Sequence, residues 1–210
     1  GRPASPRAYP RRHAVVIGAG LAGTCCAHRL AARGWRVEIV DRRDAPAREA
    51  SGNPTGVLLP LVNLSDTPGA RLSRACLLYA GRHFGGLPDS SAYWNACGVL
   101  QLARDDLDPE RHARVLSSRC FPEDFARNVS AEEAGELSGW PVAAPGWWFS
   151  FGGWLRPGRA CAANLLAYPE RIVRHFGRQV ECLRRTAGGW SIEDAAGREI
   201  CAAPQVILAN

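Results

Sequence analysis

HAVVIGAGLAGTCCAHRLAARGWRVEIVD, residues 13–41, decides the fold. Ala14–Ile17 is a short apolar run that reads as a buried strand. Gly18, Gly20 and Gly23 follow at the spacing G-x-G-x-x-G. The first glycine permits the tight turn, the second lets a pyrophosphate approach the backbone, and the third lets a helix pack closely on the sheet. The helix that opens there offers free N–H groups and a partial positive charge to phosphate. Val37–Val40 reads as a second strand, and Asp41 closes it eighteen positions after Gly23. Its carboxylate stands where a ribose hydroxyl would be held. Strand, triplet, helix, strand and acid in this order predict dinucleotide binding. The triplet alone would be an ordinary glycine-rich turn.

The 210 residues have room for one large or two small domains. With 46% hydrophobic and 22% charged residues, the composition is that of an ordinary globular protein. No apolar run is long enough to span a membrane, and the start lacks the apolar core of a signal peptide. A cytoplasmic protein with no membrane partner is expected. The chain begins with Gly and contains no Met, so a complete reading frame is not expected.

The net charge is +6, and all 26 basic residues are Arg. GC-rich coding bias accounts for both features. An anionic partner such as RNA would also suit guanidinium groups, but the Arg residues are dispersed and no RNA-binding motif with interleaved aromatics is visible. Cys25, Cys26, Cys76, Cys97, Cys120, Cys161, Cys182 and Cys201 include no C-x-x-C pair and no His at zinc-finger spacing. Free thiols and no metal site are expected. The five histidines are scattered, and no catalytic triad or paired carboxylate stands out, so the catalytic residues are unknown at this level.

Outward from the opening unit, residues 1–12 are Pro- and Arg-rich and read as a linker. EASGNPTGVLLP, Glu49–Pro60, is a loop of small residues around the turn Asn53–Pro54. Ala70–Phe84 has helical spacing, Gly98–Ala103 alternates like a strand, and Pro109–Ser118 reads as a helix. Asn128–Ser138 reads as another, with Ser130 as N-cap and Glu133 completing a capping box. Trp140–Trp154 holds four Trp and two Phe. Core packing explains that run, and an aromatic wall near a planar ring is the other reading. A helix is expected from Pro157 to about Ala167, strands at Ile172–Phe176 and Gln205–Asn210, and a hairpin from Val180–Arg185 and Trp190–Glu193.

The chain resembles the FAD-dependent amine oxidoreductases of the D-amino-acid oxidase and glycine oxidase superfamily. VIGAGLAG at Val16–Gly23 is shared widely. The run ASGN-x-x-G-x-L-x-P within Glu49–Pro60 is more telling, and it resembles the tRNA-modifying branch, the C-terminal oxidoreductase domains of bifunctional 5-methylaminomethyl-2-thiouridine enzymes. CGVLQLA at Cys97–Ala103, GGWLRP at Gly152–Pro157 and VILAN at Val206–Asn210 add matches in the right order.

The resemblance implies an α/β fold: a Rossmann-like FAD-binding domain with an inserted α+β substrate domain, C-terminally truncated. The implied segments are 13–85 and 152–210 for FAD binding and 86–151 for the substrate domain. Gly18, Gly20 and Gly23 would hold the pyrophosphate, and Asp41 the adenosine ribose. Ser51 and Asn53 would lie near the pyrophosphate or ribityl chain. Thr55, Gly56 and Val57 would lie near the isoalloxazine. Val180 would meet adenine through its backbone, and Ala209 and Asn210 would approach the flavin. The implied reaction is oxidation of carboxymethylaminomethyluridine in tRNA to aminomethyluridine and glyoxylate. A methyltransferase domain is expected upstream, and Arg156 and Arg159 are candidates for tRNA contact. A free-amino-acid oxidase of the glycine type and a non-catalytic nucleotide-binding module are the alternatives. The family's fold continues past the position of Asn210, so residues 1–210 alone are expected to be inactive and to hold FAD weakly or not at all.

Overall fold

The computed structural model describes residues 12–63, 65–103, 114–118 and 121–210. The expected linker, apart from Arg12, and the first half of the expected helix Pro109–Ser118 lie outside the described residues; 114–118 are helical. The strands are β1 His13–Ile17, β2 Arg36–Asp41, β3 Gly56–Leu58, β4 Trp94–Asn95, β5 Val99–Leu102, β6 Ala126–Val129 and β7 Gly146–Phe149. There follow β8 Gly153–Leu155, β9 Ile172–Phe176, β10 Cys182–Thr186, β11 Gly189–Glu193, β12 Glu199–Ala203 and β13 Gln205–Leu208. The longer helices are α1 Leu21–Ala31, α2 Pro68–Gly85, α3 Ala131–Ser138 and α4 Pro157–Leu166.

Two compact units divide the chain. One joins the residues up to Pro54 with Pro157–Asn210, and the other is Thr55–Arg156. The first is built on a parallel sheet of order β13-β1-β2-β9. The two central strands, β1 and β2, are buried along their middles because both faces are covered there, whereas the edge strands β9 and β13 are partly exposed. Val16, Val37 and Ile39 pack with Ala27 and Ala31 of α1 and Leu165 of α4. Val15 and Val40 face the opposite way, onto Ile192, Cys201 and Ala203 of the antiparallel meander β10-β11-β12. Val15, Val16, Val37, Ile39 and Val40 are all fully buried. Each such side chain contributes roughly 1.5–3 kcal/mol over an exposed one.

The second unit carries two antiparallel sheets, β3-β8-β4 and β5-β7-β6. It begins at Thr55, because β3 pairs with β8 rather than with the parallel sheet. Residues 55–85, including α2, therefore fall in this unit, whereas the sequence groups them with the dinucleotide-binding segment. The aromatic run divides between core and surface. Trp147 and Phe149 of β7 are buried with Leu77 and Phe125, while Trp140 is 73% exposed. Gly98 takes a φ of +80°, and a Cβ there would lie 2.1 Å from the Trp148 ring, so only glycine fits. The expected helix at Asn128–Ser138 begins later, at Ala131, because Ala126–Val129 pair as β6. Ser130 Oγ accepts from the Glu133 N–H at 3.1 Å, but the Glu133 carboxylate pairs with Arg127 instead of closing a capping box.

Candidate dinucleotide site

A cavity of about 500 Å³ opens beyond the C-terminal ends of β1 and β2 in the first unit. This is where open parallel sheets bind ligands, at the strand from which connections leave in both directions. Here that strand is β1, flanked by β2 and β13.

The glycine turn forms the floor of the cavity. Gly18 has a φ of +105°, and a Cβ on it would lie 2.6 Å from the Ala209 carbonyl oxygen. Its own N–H donates to the Val40 carbonyl at 2.8 Å, and the Ala209 N–H donates to that of Ile17 at 2.8 Å. The turn is thereby fixed between β2 and the end of β13. Gly20 is open toward the cavity, where a Cβ would meet Ser51 Oγ at 3.0 Å. Gly23 supports the turn from behind: a Cβ on it would lie 1.8 Å from the Gly18 carbonyl oxygen. The Leu21 N–H donates to Ser51 Oγ at 3.0 Å. The following first-turn N–H groups, of Ala22 and Gly23, have no carbonyl within the helix to bond.

Asp41 stands at the end of β2 and lines the cavity. One carboxylate oxygen accepts from the Ala19 N–H at 2.6 Å and the other from the Arg43 N–H at 2.8 Å. These bonds fix the carboxylate while leaving lone pairs for a further donor. Past β9, the Gly177 N–H donates to the Arg43 carbonyl at 2.8 Å and the Arg178 N–H to that of Asp41 at 2.9 Å. Gly177 turns with a φ of +68°, which carries Arg178, Gln179 and Val180 along the cavity wall.

The opposite wall is the segment 42–51. Ala47 donates to the Ala19 carbonyl at 3.0 Å. Glu49 accepts from Arg42 at 2.6 and 2.5 Å and from Arg43 at 2.8 Å. The hydrogen bond from Arg42, and then that from Arg43, hold the Glu49 carboxyl down to about 2. A carboxyl lowered on folding stabilises above its unfolded pKa, near 4.3, and loses that contribution as the pH falls toward about 2. Glu49→Gln should therefore melt below the parent protein at pH 6, with the gap narrowing steadily below about pH 4.5. Thermal unfolding across that range checks it, and a gap independent of pH would contradict it.

Of the residues singled out by sequence, Gly18, Gly20, Asp41, Ser51, Val180, Ala209 and Asn210 line one cavity. Gly23 lies behind the turn. Asn53 does not line the cavity, and its side-chain amide donates to the Ala50 carbonyl at 3.4 Å. Thr55, Gly56 and Val57 belong to the second unit, where Gly56 and Val57 start β3 and Val57 is exposed. The lining also includes Arg42, Arg48, Arg178 and Gln179, which sequence reasoning did not single out. Gly177, preceding 178–180, was the available signal. The seven described cysteines are free. Burial pushes Cys25 up to about 11, so it is a poor nucleophile. No helix among the described residues is long and apolar enough to cross a membrane.

The parallel sheet, the glycine turn under a helix N-terminus and the acid ending β2 define a dinucleotide-binding domain. The chain belongs to the FAD dependent oxidoreductase family (DAO), which matches residues 13–210. It is 47% identical over 208 residues to the tRNA 5-methylaminomethyl-2-thiouridine biosynthesis bifunctional protein MnmC of Aromatoleum aromaticum, covering 98% of this chain and 33% of that protein. The protein of the same name from Azoarcus sp. is 47% identical over 213 residues, covering 99% of this chain and 33% of its own length. The chain thus spans about a third of the length of these curated relatives. Among solved structures, glycine oxidase from Bacillus cereus superposes with a TM-score of 0.72 at 18% identity, over 94% of this chain and 55% of that one. L-proline dehydrogenase from P. horikoshii gives 0.70 at 20% identity, over 95% and 53%. Both likenesses concern the fold.

Proposed function

We propose that this chain carries the FAD-binding part of an enzyme that oxidises the carboxymethylaminomethyl group of a tRNA wobble uridine to aminomethyl, releasing glyoxylate. The observation that carries the cofactor is the joining of Gly18, Gly20, Asp41, Ser51, Val180 and Ala209 in one cavity at the strand ends. The donors and acceptors there fit FAD. First-turn N–H groups suit a pyrophosphate, and the fixed Asp41 carboxylate suits ribose hydroxyls. A side chain at Gly20 would crowd the approach to the helix N-terminus.

In this reading Gly18, Gly20 and the helix N-terminus hold the pyrophosphate, with Gly23 keeping the turn against the strand. Asp41 orients the ribose, and the Val180 backbone meets adenine. Ser51 faces the pyrophosphate or ribityl chain, and Ala209 and Asn210 belong near the flavin. Bound FAD would supply the two-electron acceptor for amine oxidation. The chain's task is to bind and orient it. The substrate side follows from the relatives' shared name together with the ASGN-x-x-G-x-L-x-P run. A methyltransferase partner domain fits the word bifunctional in that name. Arg156, stacked over Trp154 at 5.4 Å, and Arg159 are both exposed and available to RNA phosphate.

The likeness to glycine oxidase favours a second reading, oxidation of a free amino acid on the same fold. Glyoxylate release separates the two. The full-length protein with FAD should release glyoxylate from tRNA bearing the carboxymethylaminomethyl group, and at least about 100-fold less efficiently from free glycine, a gap of about 2.7 kcal/mol. Rapid turnover of glycine with no response to the tRNA would reverse the assignment.

A further inference from the structure

On the face of the parallel sheet that meets the meander, four strands converge on a second group of chemically capable side chains. Glu38 of β2 is buried at the centre. Its two carboxylate oxygens bond His13 Nε2 of β1 at 2.9 Å and His175 Nε2 of β9 at 2.7 Å. Cys201 of β12, also buried, completes the group, and its Sγ and donor atoms of Glu38 and His175 all lie within 4.8 Å of one another. None of these residues lines the dinucleotide cavity. A separate cavity of about 290 Å³ opens on the group at His175, bounded also by Arg178, Asp194, Arg198, Glu199 and Ile200.

We propose that Glu38, His175 and Cys201 form a divalent-cation site of the zinc class, with His13 as its outer-shell support. Imidazole, carboxylate and thiolate are the donor types zinc takes, and three protein ligands leave a fourth position for water. Tetrahedral bonds of about 2.0–2.3 Å place ligand atoms about 3.3–3.8 Å apart. The Glu38–His175 pair opens by under about 1 Å to meet that spacing, and Cys201 closes by about 1 Å. Charge favours the arrangement: one carboxylate and one thiolate cancel a dipositive ion, which leaves a buried site neutral. The Cys201 S–H proton leaves to solvent as the metal–sulfur bond forms, and no electron is transferred. His13 keeps its bond to the carboxylate oxygen that does not face His175, the outer-shell contact that orients ligating carboxylates. The cavity at His175 is the entry path. Arg198, on its wall, is neutralised by Asp194 at 2.9 Å. Arg36 approaches Glu38 only at 3.8 Å and is largely exposed. No sequence spacing could reveal such a site, because its ligands lie on strands far apart in the chain.

The test uses Zn2+ itself on the full-length protein after stripping on a chelating resin. One equivalent should bind, and Cys201→Ser and His175→Asn should each weaken binding by at least tenfold, while His13→Asn weakens it by roughly 10-fold or more as an outer-shell change. Near-ultraviolet circular dichroism of the metal-free proteins confirms folding. Co2+ in place of Zn2+ should add a thiolate-to-cobalt charge-transfer band to the difference spectrum of the parent protein, a readout that needs no variant and no turnover. Lack of saturable one-to-one binding, binding without the cobalt–thiolate band, or undiminished binding in the folded Cys201 variant would overturn the proposal.

Discussion

Gly23→Ala should cost the first unit at least about 1–3 kcal/mol of stability, the usual penalty of overpacking, and should abolish stable flavin retention. The added methyl would lie 1.8 Å from the Gly18 carbonyl oxygen and 2.9 Å from its carbonyl carbon. Both are backbone atoms, so no side chain can swing aside. Either α1 lifts from β1, which opens the contact with Val16 and Leu165, or the glycine turn moves. Movement of the turn breaks the Gly18 bond to Val40 and displaces the N–H groups facing the cavity. Urea unfolding of the full-length protein measures the first effect, and flavin absorbance per protein after gel filtration measures the second. A variant with the parent's midpoint and full flavin content would contradict this description of the turn.

Asp41→Ala should weaken FAD binding by at least tenfold, about 1.4 kcal/mol, and should lower stability as well. The two effects have separate causes. Without a ligand, the carboxylate already accepts from the N–H groups of Ala19 and Arg43. Its removal leaves the Ala19 donor inside the glycine turn without that partner, at a cost of roughly 1–3 kcal/mol. In the proposed complex with FAD, the ribose contact is lost too. Asp41→Asn separates them: its amide oxygen can still accept from Ala19, so stability recovers further than FAD affinity. Equal recovery of both would show that Asp41 supports only the turn.

The dinucleotide-binding unit was legible because its chemistry is local. Ala14–Ile17, the three glycines and Asp41 each report a backbone need that one short window can express. β9 and β13 were legible from short β-branched segments, Ile172–Val173 and Val206–Ile207, although both are edge strands and partly exposed. The cavity wall at 178–180 was only partly legible, since two bonds to Asp41 and Arg43, far back in the chain, place it. β12 escaped notice because Glu199–Ala203 has no clean alternation, and its register with β11 shifts at Ile192/Glu193. The extent of the second unit was hidden for a different reason. Gly56–Leu58 is three residues long, and only its pairing with Gly153–Leu155 separates it from the loop before it. Membership of the FAD dependent oxidoreductase family agrees with the resemblance carried by VIGAGLAG and the ASGN run.

In the proposed function, the cavity between the glycine turn, Asp41 and 178–180 receives the adenosine and pyrophosphate of FAD. A crystal structure of the full-length protein with FAD tests it most directly. Pyrophosphate density is expected against Gly20 and the first turn of α1, ribose hydroxyls within hydrogen-bond distance of Asp41, and adenine beside the Val180 backbone. Adenosine density outside this cavity, with Asp41 bonded only to Ala19 and Arg43, would contradict it.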